Sequence, residues 1–323
     1  MRNFRAERRL VVNIKVDSNR LSSYPDRVLA RILIIFVGIC FFLGKSDGFS
    51  QTNKTPQSLE VMHTLAKGGD AKAQFRLGYC YAYGVGVERD DEQAVAWYRK
   101  AADQGFEPAQ LNLGSCYYNG RGVQCDYAAA LEWYRKSAES GSAAGQYELA
   151  LFYYGGNVVS QNYAEAVRWL RKSAEQGDSR AQGFLALCYD MGRGVERDYV
   201  VALKWCRRAA DQGDRMAQNY LGVMYSYGKG IENNYAEAAK WFRKAAVSGD
   251  AAAQMSIGSA YIEGKGVAKD TIEGYAWLSI ASTAGNEGAT TALDGLEGRM
   301  STDQITKAQA RVKLLKAEMQ RKK

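Results

Sequence analysis

The sequence predicts an all-α fold, a right-handed α/α superhelical solenoid of six 36-residue helix-turn-helix repeats, on three observations. The six tryptophans of the 323-residue chain, Trp97, Trp133, Trp169, Trp205, Trp241 and Trp277, each follow the last by 36 residues. Two glycine series keep the same step, one at 69, 105, 141, 177, 213, 249 and 285, the other at 84, 120, 156, 192, 228 and 264. Tyr81, Tyr117, Tyr153, Tyr189, Tyr225 and Tyr261 complete the frame. A fixed period of about 20–50 residues marks a repeat architecture, in which each unit buries its apolar face only against its neighbours.

The elements follow in order. Residues 1–50 read as an export signal or membrane anchor: the apolar run Ile32–Gly44 is preceded by Arg20, Arg27 and Arg31 and followed by Lys45 and Asp47. Thirteen apolar residues fall short of the roughly 20 that span a bilayer and match the apolar region of a signal peptide. Gly48 and Ser50 offer small side chains for cleavage before Gln51. The 31 residues ahead of the run exceed an ordinary signal peptide, which points either to a later start near Leu21 or Val28 or to an uncleaved anchor with a basic cytoplasmic tail. Both place the repeats outside the cytoplasm, periplasmic, secreted or tethered to the inner membrane. Cys40 lacks the small preceding residue of a lipidated cysteine.

Residues 51–69 hold an amino-terminal capping helix with Leu59, Met62, Leu65 and Ala66 as its apolar positions. The repeats then run 70–105, 106–141, 142–177, 178–213, 214–249 and 250–285. In the first, Asp70 caps a helix A through Tyr81, Gly84-Val-Gly-Val87 turns the chain, and Asp90 caps a helix B through Trp97 to Gln104. Gly105 ends that helix in the left-handed region. Leu77, Gly78 and Tyr81 on helix A face Ala94, Trp97 and Ala101 on helix B. The series Gly78, Gly114, Gly222 and Gly258, with Ala150 and Ala186, leaves room for a tryptophan or a neighbouring backbone. All six tryptophans are expected to be buried. The third repeat departs most, with Gly156-Asn157-Val158-Val159 in its turn. Residues 286–323 carry a partial repeat through Ala289 and Leu293, then a capping helix from Ser301-Thr302-Asp303 toward Arg321.

Leu77-Gly78-x-x-Tyr81 is reminiscent of the tetratricopeptide repeat, which has 34 residues and a proline near its end. This chain has only Pro25, Pro56 and Pro108. With Ala-Gln-x-x-Leu-Gly-x-x-Tyr-x-x-Gly-x-Gly-Val, then Asp, then Ala-x-x-Trp-Tyr-Arg-Lys-Ala-Ala and a terminal glycine, residues 70–285 resemble the Sel-like repeat family. The resemblance implies an adaptor in a bacterial envelope, in host contact or in a membrane-associated complex.

Charge excludes one class of partner. The net charge is +8, yet residues 1–50 hold 9 basic and 4 acidic groups and residues 301–323 hold 7 and 2. That leaves 27 basic against 29 acidic groups over 51–300, so the repeats carry no footprint for nucleic acid. The membrane enters only through the amino-terminal segment.

Catalytic, cofactor and metal chemistry find little support. His63 is the only histidine and falls in the capping helix, which leaves it a packing or surface role. The Gly-x-Gly turns follow helices rather than strands and are not phosphate loops. Ser226-Tyr227-Gly228-Lys229 matches the Ser-x-x-Lys of penicillin-recognising enzymes, to which some Sel-like relatives are linked, but no Lys-Thr-Gly or Ser-Asp-Asn accompanies it. Cys80, Cys116 and Cys188 share one core position, and neighbouring repeats stand too far apart for a disulfide. Cys188 with Cys206 is the one pair suited to a disulfide, the alternative being two unpaired core thiols. The Arg-Lys pairs 99–100, 135–136, 171–172 and 243–244, with Arg207-Arg208, sit in last helical turns, where the helix dipole favours cations.

Function is therefore sought where the repeats differ. On helix A, one stripe carries Phe75, Arg76, Tyr79 and Tyr83; Asn112, Tyr118 and Asn119; Tyr147, Glu148 and Tyr154; Phe184 and Asp190; Tyr220 and Tyr227; and Glu263. In related superhelices this stripe faces the concave groove, and tyrosine gives large contact area at low entropic cost. The reading is a non-catalytic scaffold that binds a protein or peptide there without a cofactor. The alternative is an envelope enzyme, β-lactamase-like, or a binder of glycan or peptidoglycan fragments using the same groove; several of these tyrosines could instead fill gaps between A helices.

Overall fold

The computed structural model describes residues 56–321, so the export segment and Cys40 lie outside the described residues. The chain divides at Gln176 and Gly177 into two compact units. The first contains α1 (Pro56–Lys67), α2 (Ala71–Tyr83), α3 (Asp91–Asp103), α4 (Glu107–Asn119), α5 (Tyr127–Glu139), α6 (Ala143–Gly155) and α7 (Tyr163–Glu175). The second contains α8 (Ser179–Met191), α9 (Tyr199–Asp211), α10 (Arg215–Tyr227), α11 (Tyr235–Val247), α12 (Ala251–Glu263), α13 (Thr271–Thr283), α14 (Glu287–Glu297) and α15 (Thr302–Arg321). The described residues are all helix and turn. Each unit holds three A/B hairpins packed in sequence.

Polar caps fix where each B helix begins. Asp90, Asp126, Asn162, Asp198, Asn234 and Asp270 all stand in extended backbone and accept hydrogen bonds from N–H groups of the first turn. Helix A stops where Gly84 turns left-handed at φ 67°. Helix B ends as predicted: Gly105, at φ 81°, donates to the Ala102 carbonyl, and Phe106 donates to Ala101.

The hairpin interior bears out one half of an expectation and corrects the other: a Cβ on Gly258 or Gly78 would lie 3.1 Å from the carbonyl of Gly274 or Ala94, the close backbone expected, but the tryptophan is not the ring alongside. The space beside Gly78, Gly114 and Gly222 is filled by the residue after the tryptophan. A Cβ on these glycines would lie 2.7 Å from the Tyr98 ring, 2.8 Å from Tyr134 and 2.6 Å from Phe242. Where Ala150 and Ala186 replace the glycine, the facing residues are Leu170 and Cys206. Glycine and aromatic ring are thus matched in three of the six hairpins, and in the other three the small residue goes with leucine or cysteine.

The tryptophans are not equally buried, which corrects a second expectation. Trp277 is fully buried, Trp97 and Trp169 are 7% exposed, and Trp133, Trp205 and Trp241 are half-buried. The exposed indole faces are covered by cations three residues on: Lys100, Lys136, Lys172 and Lys244 sit 4.1, 3.9, 4.4 and 3.7 Å from the ring centroids, and Arg208 sits at 4.8 Å from Trp205. The arginine of the pair reaches the next repeat. Arg207 and Arg243 donate to the hydroxyls of Tyr225 and Tyr261 at 2.5 and 3.1 Å, and Arg99 donates to Tyr117. The Arg-Lys row thus ties repeats together besides suiting the helix dipole.

A glutamine ladder makes the second tie. Gln74, Gln110, Gln146, Gln218 and Gln254 are buried and donate to the carbonyls of Ala66, Ala102, Ala138, Ala210 and Ala246. Their own amide oxygens are met from 30 residues on by Gln104, Ser140 and Gln176 in the first unit. In the second unit Gln212 meets Gln182 in the same way, whereas Ser248 donates to Lys244 and position 284 is alanine. The oxygens of Gln218 and Gln254 are consequently buried without partners among the described residues.

At the ends, α1 packs Leu59, Met62 and Ala66 against Leu77 and Trp97, while Leu65 faces outward at 52% exposure, against expectation. His63 lies edge-on to Tyr81 and Trp97, a packing role. Ser301 and Gln304 form a reciprocal capping box that starts α15. Arg311 on α15 donates to both oxygens of the buried Glu273, which also accepts from the Trp277 indole.

Candidate interaction surface

The predicted stripe separates into surface and core. In the first unit, Tyr79 and Tyr83 stack with ring centroids 4.4 Å apart, and Tyr83 is 56% exposed. The Arg121 guanidinium lies 5.3 Å from the Tyr83 ring while donating to Asp91 at 2.9 Å and to the Ala82 carbonyl. The Asp91 carboxyl is held below its usual range, first by the hydrogen bond from Arg89, then, against the opposing push of burial, by the weaker contribution of Arg121. Arg76 and Asn119 are exposed, Asn112 and Glu148 half-buried. Tyr118 is half-buried, edge-on to Tyr127 at 5.0 Å and to Phe152 at 5.9 Å.

Several predicted site residues belong to the core instead. Phe75 packs between Tyr98 and Phe106. Tyr147 is fully buried, and Tyr154 is buried beside Tyr163. In the second unit, Phe184 and Tyr220 are buried and Asp190 is an internal carboxylate paired with Lys229. The large rings fill space between helices and Asp190 is held inside by Lys229, so these five, Tyr147, Tyr154, Phe184, Asp190 and Tyr220, are corrected from surface to interior. Tyr227 is exposed, and Glu263 is exposed and paired with Lys265 at 2.7 Å.

Arg121 and the tyrosines that open the B helices, Tyr127, Tyr163, Tyr199 and Tyr235, were not among the predicted residues. Their 36-residue spacing was the available signal. Tyr127 and Tyr235 are exposed, at 37% and 42%.

The cysteine expectation also resolves. Cys188 and Cys206 are free, buried thiols, and Cys206 donates to the Ala217 carbonyl at 3.3 Å. Burial pushes Cys116 up to about 11 and Cys188 up to about 12. In the Ser-x-x-Lys motif, the Lys229 ammonium is bound to Asp190 at 3.2 and 3.4 Å rather than to Ser226. Among the described residues no helix is long and apolar enough to cross a membrane, and no group of three or more His, Cys, Asp or Glu side chains could hold a metal.

The hairpins and their period define a class, the all-α solenoid of paired helices. The Sel1 repeat matches the chain six times, at residues 71–106, 107–142, 143–178, 179–214, 215–250 and 251–286, and the chain belongs to that family. Among solved structures it is similar to a protective antigen of uropathogenic Escherichia coli that displays an SLR fold. That likeness is 41% identical with a TM-score of 0.70, over 77% of this chain and 54% of the other. It is also similar to a Sel1 repeat protein from Oxalobacter formigenes, 34% identical with a TM-score of 0.63, over 71% of this chain and 88% of the other. Shorter stretches resemble the chitin synthase regulator SKT5 of Saccharomyces cerevisiae, 33% identical over 24% of this chain, and the rat DAP3-binding cell death enhancer 1, 38% identical over 16%. The chain spans only 11% and 10% of those two relatives' lengths. Sel1 repeat arrays mediate protein–protein interaction, and the family is typically non-catalytic.

Proposed function

We propose that this chain is a non-catalytic scaffold of the bacterial envelope that binds a protein partner through the helix-A stripe of its first unit. One observation carries the reading. Tyr79, Tyr83 and Tyr118 are aromatic where most other repeats are not, remain partly or largely exposed, and are braced by Arg121 and Tyr127. Rigid aromatic rings with polar neighbours, here Arg76, Asn112 and Asn119, suit protein recognition. The basic-then-apolar segment before residue 50 supports export or tethering, with the repeats outside the cytoplasm. The similarity to a protective antigen is in keeping with such a placement.

Cross-linked affinity capture from intact cells tests the surface by comparing the wild type with a Tyr79→Ala, Tyr83→Ala, Tyr118→Ala variant. A discrete protein lost only from the variant, at unchanged far-UV circular dichroism, is the expected result. An identical captured set would refute the surface. Protease added to spheroplasts should digest the repeats; full protection would refute the placement.

A further inference from the structure

We infer that Asp190 is a receptor for one arginine side chain of a protein partner, a place that Lys229 fills in the unbound chain. The inference rests on the scaffold reading, because the arginine belongs to a macromolecular partner. Its starting point is a departure from the repeat. Position 82 and its equivalents carry Ala82, Tyr118, Tyr154, Ser226 and Ile262, and only the fourth repeat puts a carboxylate there. Its side chain is 3% exposed, and leaving such a charge in the interior is costly without a cation.

The first unit holds a related tie. Arg121 reaches back 39 residues to the Ala82 carbonyl and pairs at the surface with Asp91. Lys229 stands at the same turn position and reaches back the same 39 residues, while Tyr199 stands where the first repeat has Asp91 and the second to fifth have tyrosine. The carboxylate that meets the cation is internal here, and the cation is a point charge in place of a planar guanidinium. A tie between repeats needs neither feature.

The fit of Lys229 is poor by comparison with other ion pairs of this chain. Its ammonium is shared between the two Asp190 oxygens at 3.2 and 3.4 Å, whereas Arg311 meets Glu273 at 2.6 Å. Charge-assisted bonds usually lie near 2.7–2.9 Å. The Tyr220 hydroxyl, on a side chain 1% exposed, lies beside Asp190 and interacts with it without forming a well-aligned hydrogen bond. The Lys229 ammonium lies over the Tyr199 ring, 5.7 Å from its centroid. Two carboxylate oxygens beside an aromatic face match a guanidinium, which donates two parallel bonds and stacks.

Lys229 can yield the place. It sits in a surface turn between Gly228 and Gly230, both at positive φ, with its side chain 15% exposed, so its ammonium has a short path to water. A neutral or anionic ligand would leave Asp190 unpaired and is excluded on that ground.

The test is calorimetric titration of the full chain with Nα-acetyl-arginine methylamide and, as the uncharged isostere, its citrulline counterpart. Lys229→Met should bind the arginine probe about tenfold or more tightly than the wild type and ignore the citrulline probe. The double variant D190N/K229M, in which the pair is replaced by neutral groups, should lose the arginine response. Equal heats for the two probes on Lys229→Met, or arginine binding retained by the double variant, would overturn the inference. Should Lys229→Met fail to fold, the wild type against the double variant decides at higher probe concentration: saturable arginine binding by the wild type alone supports the site, and its absence refutes it. Capture of the partner through Tyr79, Tyr83 and Tyr118 is read separately, so failure here leaves the scaffold reading standing.

Discussion

Gly222 and Phe242 show how closely single residues are matched in this chain. A methyl group added at Gly222 would meet the Phe242 ring at 2.6 Å, and a ring held between two helices cannot simply move aside. Gly222→Ala is therefore expected to lower stability by about 1–3 kcal/mol. The double change with Phe242→Leu should recover much of the loss, because Ala150 already lives beside Leu170. Urea midpoints of the two variants check this, and a neutral single change would sink the matching argument. The glutamine ladder predicts a change in the opposite direction. Ala284 adopts φ −81° and ψ 5°, close to the φ −84° and ψ 3° of Gln104, which donates to Gln74. Ala284→Gln should supply the missing donor to Gln254 and raise stability by about 1 kcal/mol. An unchanged or lower melting temperature would show that the Gln254 oxygen has no such need.

At the scale of the element, the hairpin is held from three sides, and its tryptophan matters in proportion to its burial. Trp277 is fully enclosed and donates to Glu273, the carboxylate that also anchors α15 through Arg311. Truncating it to alanine should cost about 3–5 kcal/mol and loosen α15 with it. Trp241 is half-buried beneath Lys244, so Trp241→Ala should cost clearly less. Trp169, at 7% exposure, belongs with the expensive group, and its loss should melt the hairpin it serves. Hydrogen exchange along α13–α15, across α10–α11 and across α6–α7 would rank the three variants. An equal cost for all would mean that exposure does not set the contribution.

For the whole molecule, buried thiols set an alkaline limit. Cys116 and Cys188 keep their protons in the folded chain to about 11 and about 12, against an ordinary value of 9.0. Their folded values are raised, so their stabilising contribution is complete below about pH 9 and is lost as pH rises toward the folded values. Over that window each group lowers stability by about 1.4 kcal/mol per pH unit, since the unfolded chain gives up a proton that the folded chain retains. Denaturant midpoints at pH 8 and pH 10.5 should show the fall, and Cys116→Ala with Cys188→Ala should reduce its slope. The same burial predicts that Cys125, the exposed thiol among those described, reacts first with a maleimide.

Much of this was legible from one sequence because a solenoid is built by repetition. The 36-residue step, the caps Asp90 to Asp270 and the left-handed glycines are local in character, and local chemistry at a fixed spacing is visible without coordinates. They determined the helix boundaries, the hairpin and the family. The candidate surface was legible only in part. Tyr83 and Tyr154 sit one position apart in the repeat frame, yet one is 56% exposed and the other 4%. On a helix each residue turns the side chain by about 100°, so which tyrosine faces water is set by the neighbouring helix rather than by the residue itself. Tertiary packing alone decided that the small residues of helix A face Tyr98, Tyr134 and Phe242 rather than the tryptophans, that Cys188 and Cys206 stay apart as thiols, and that Asp190 is drawn inside with Lys229. Periodicity fixes which positions are equivalent; burial is a property of the contact that each position makes.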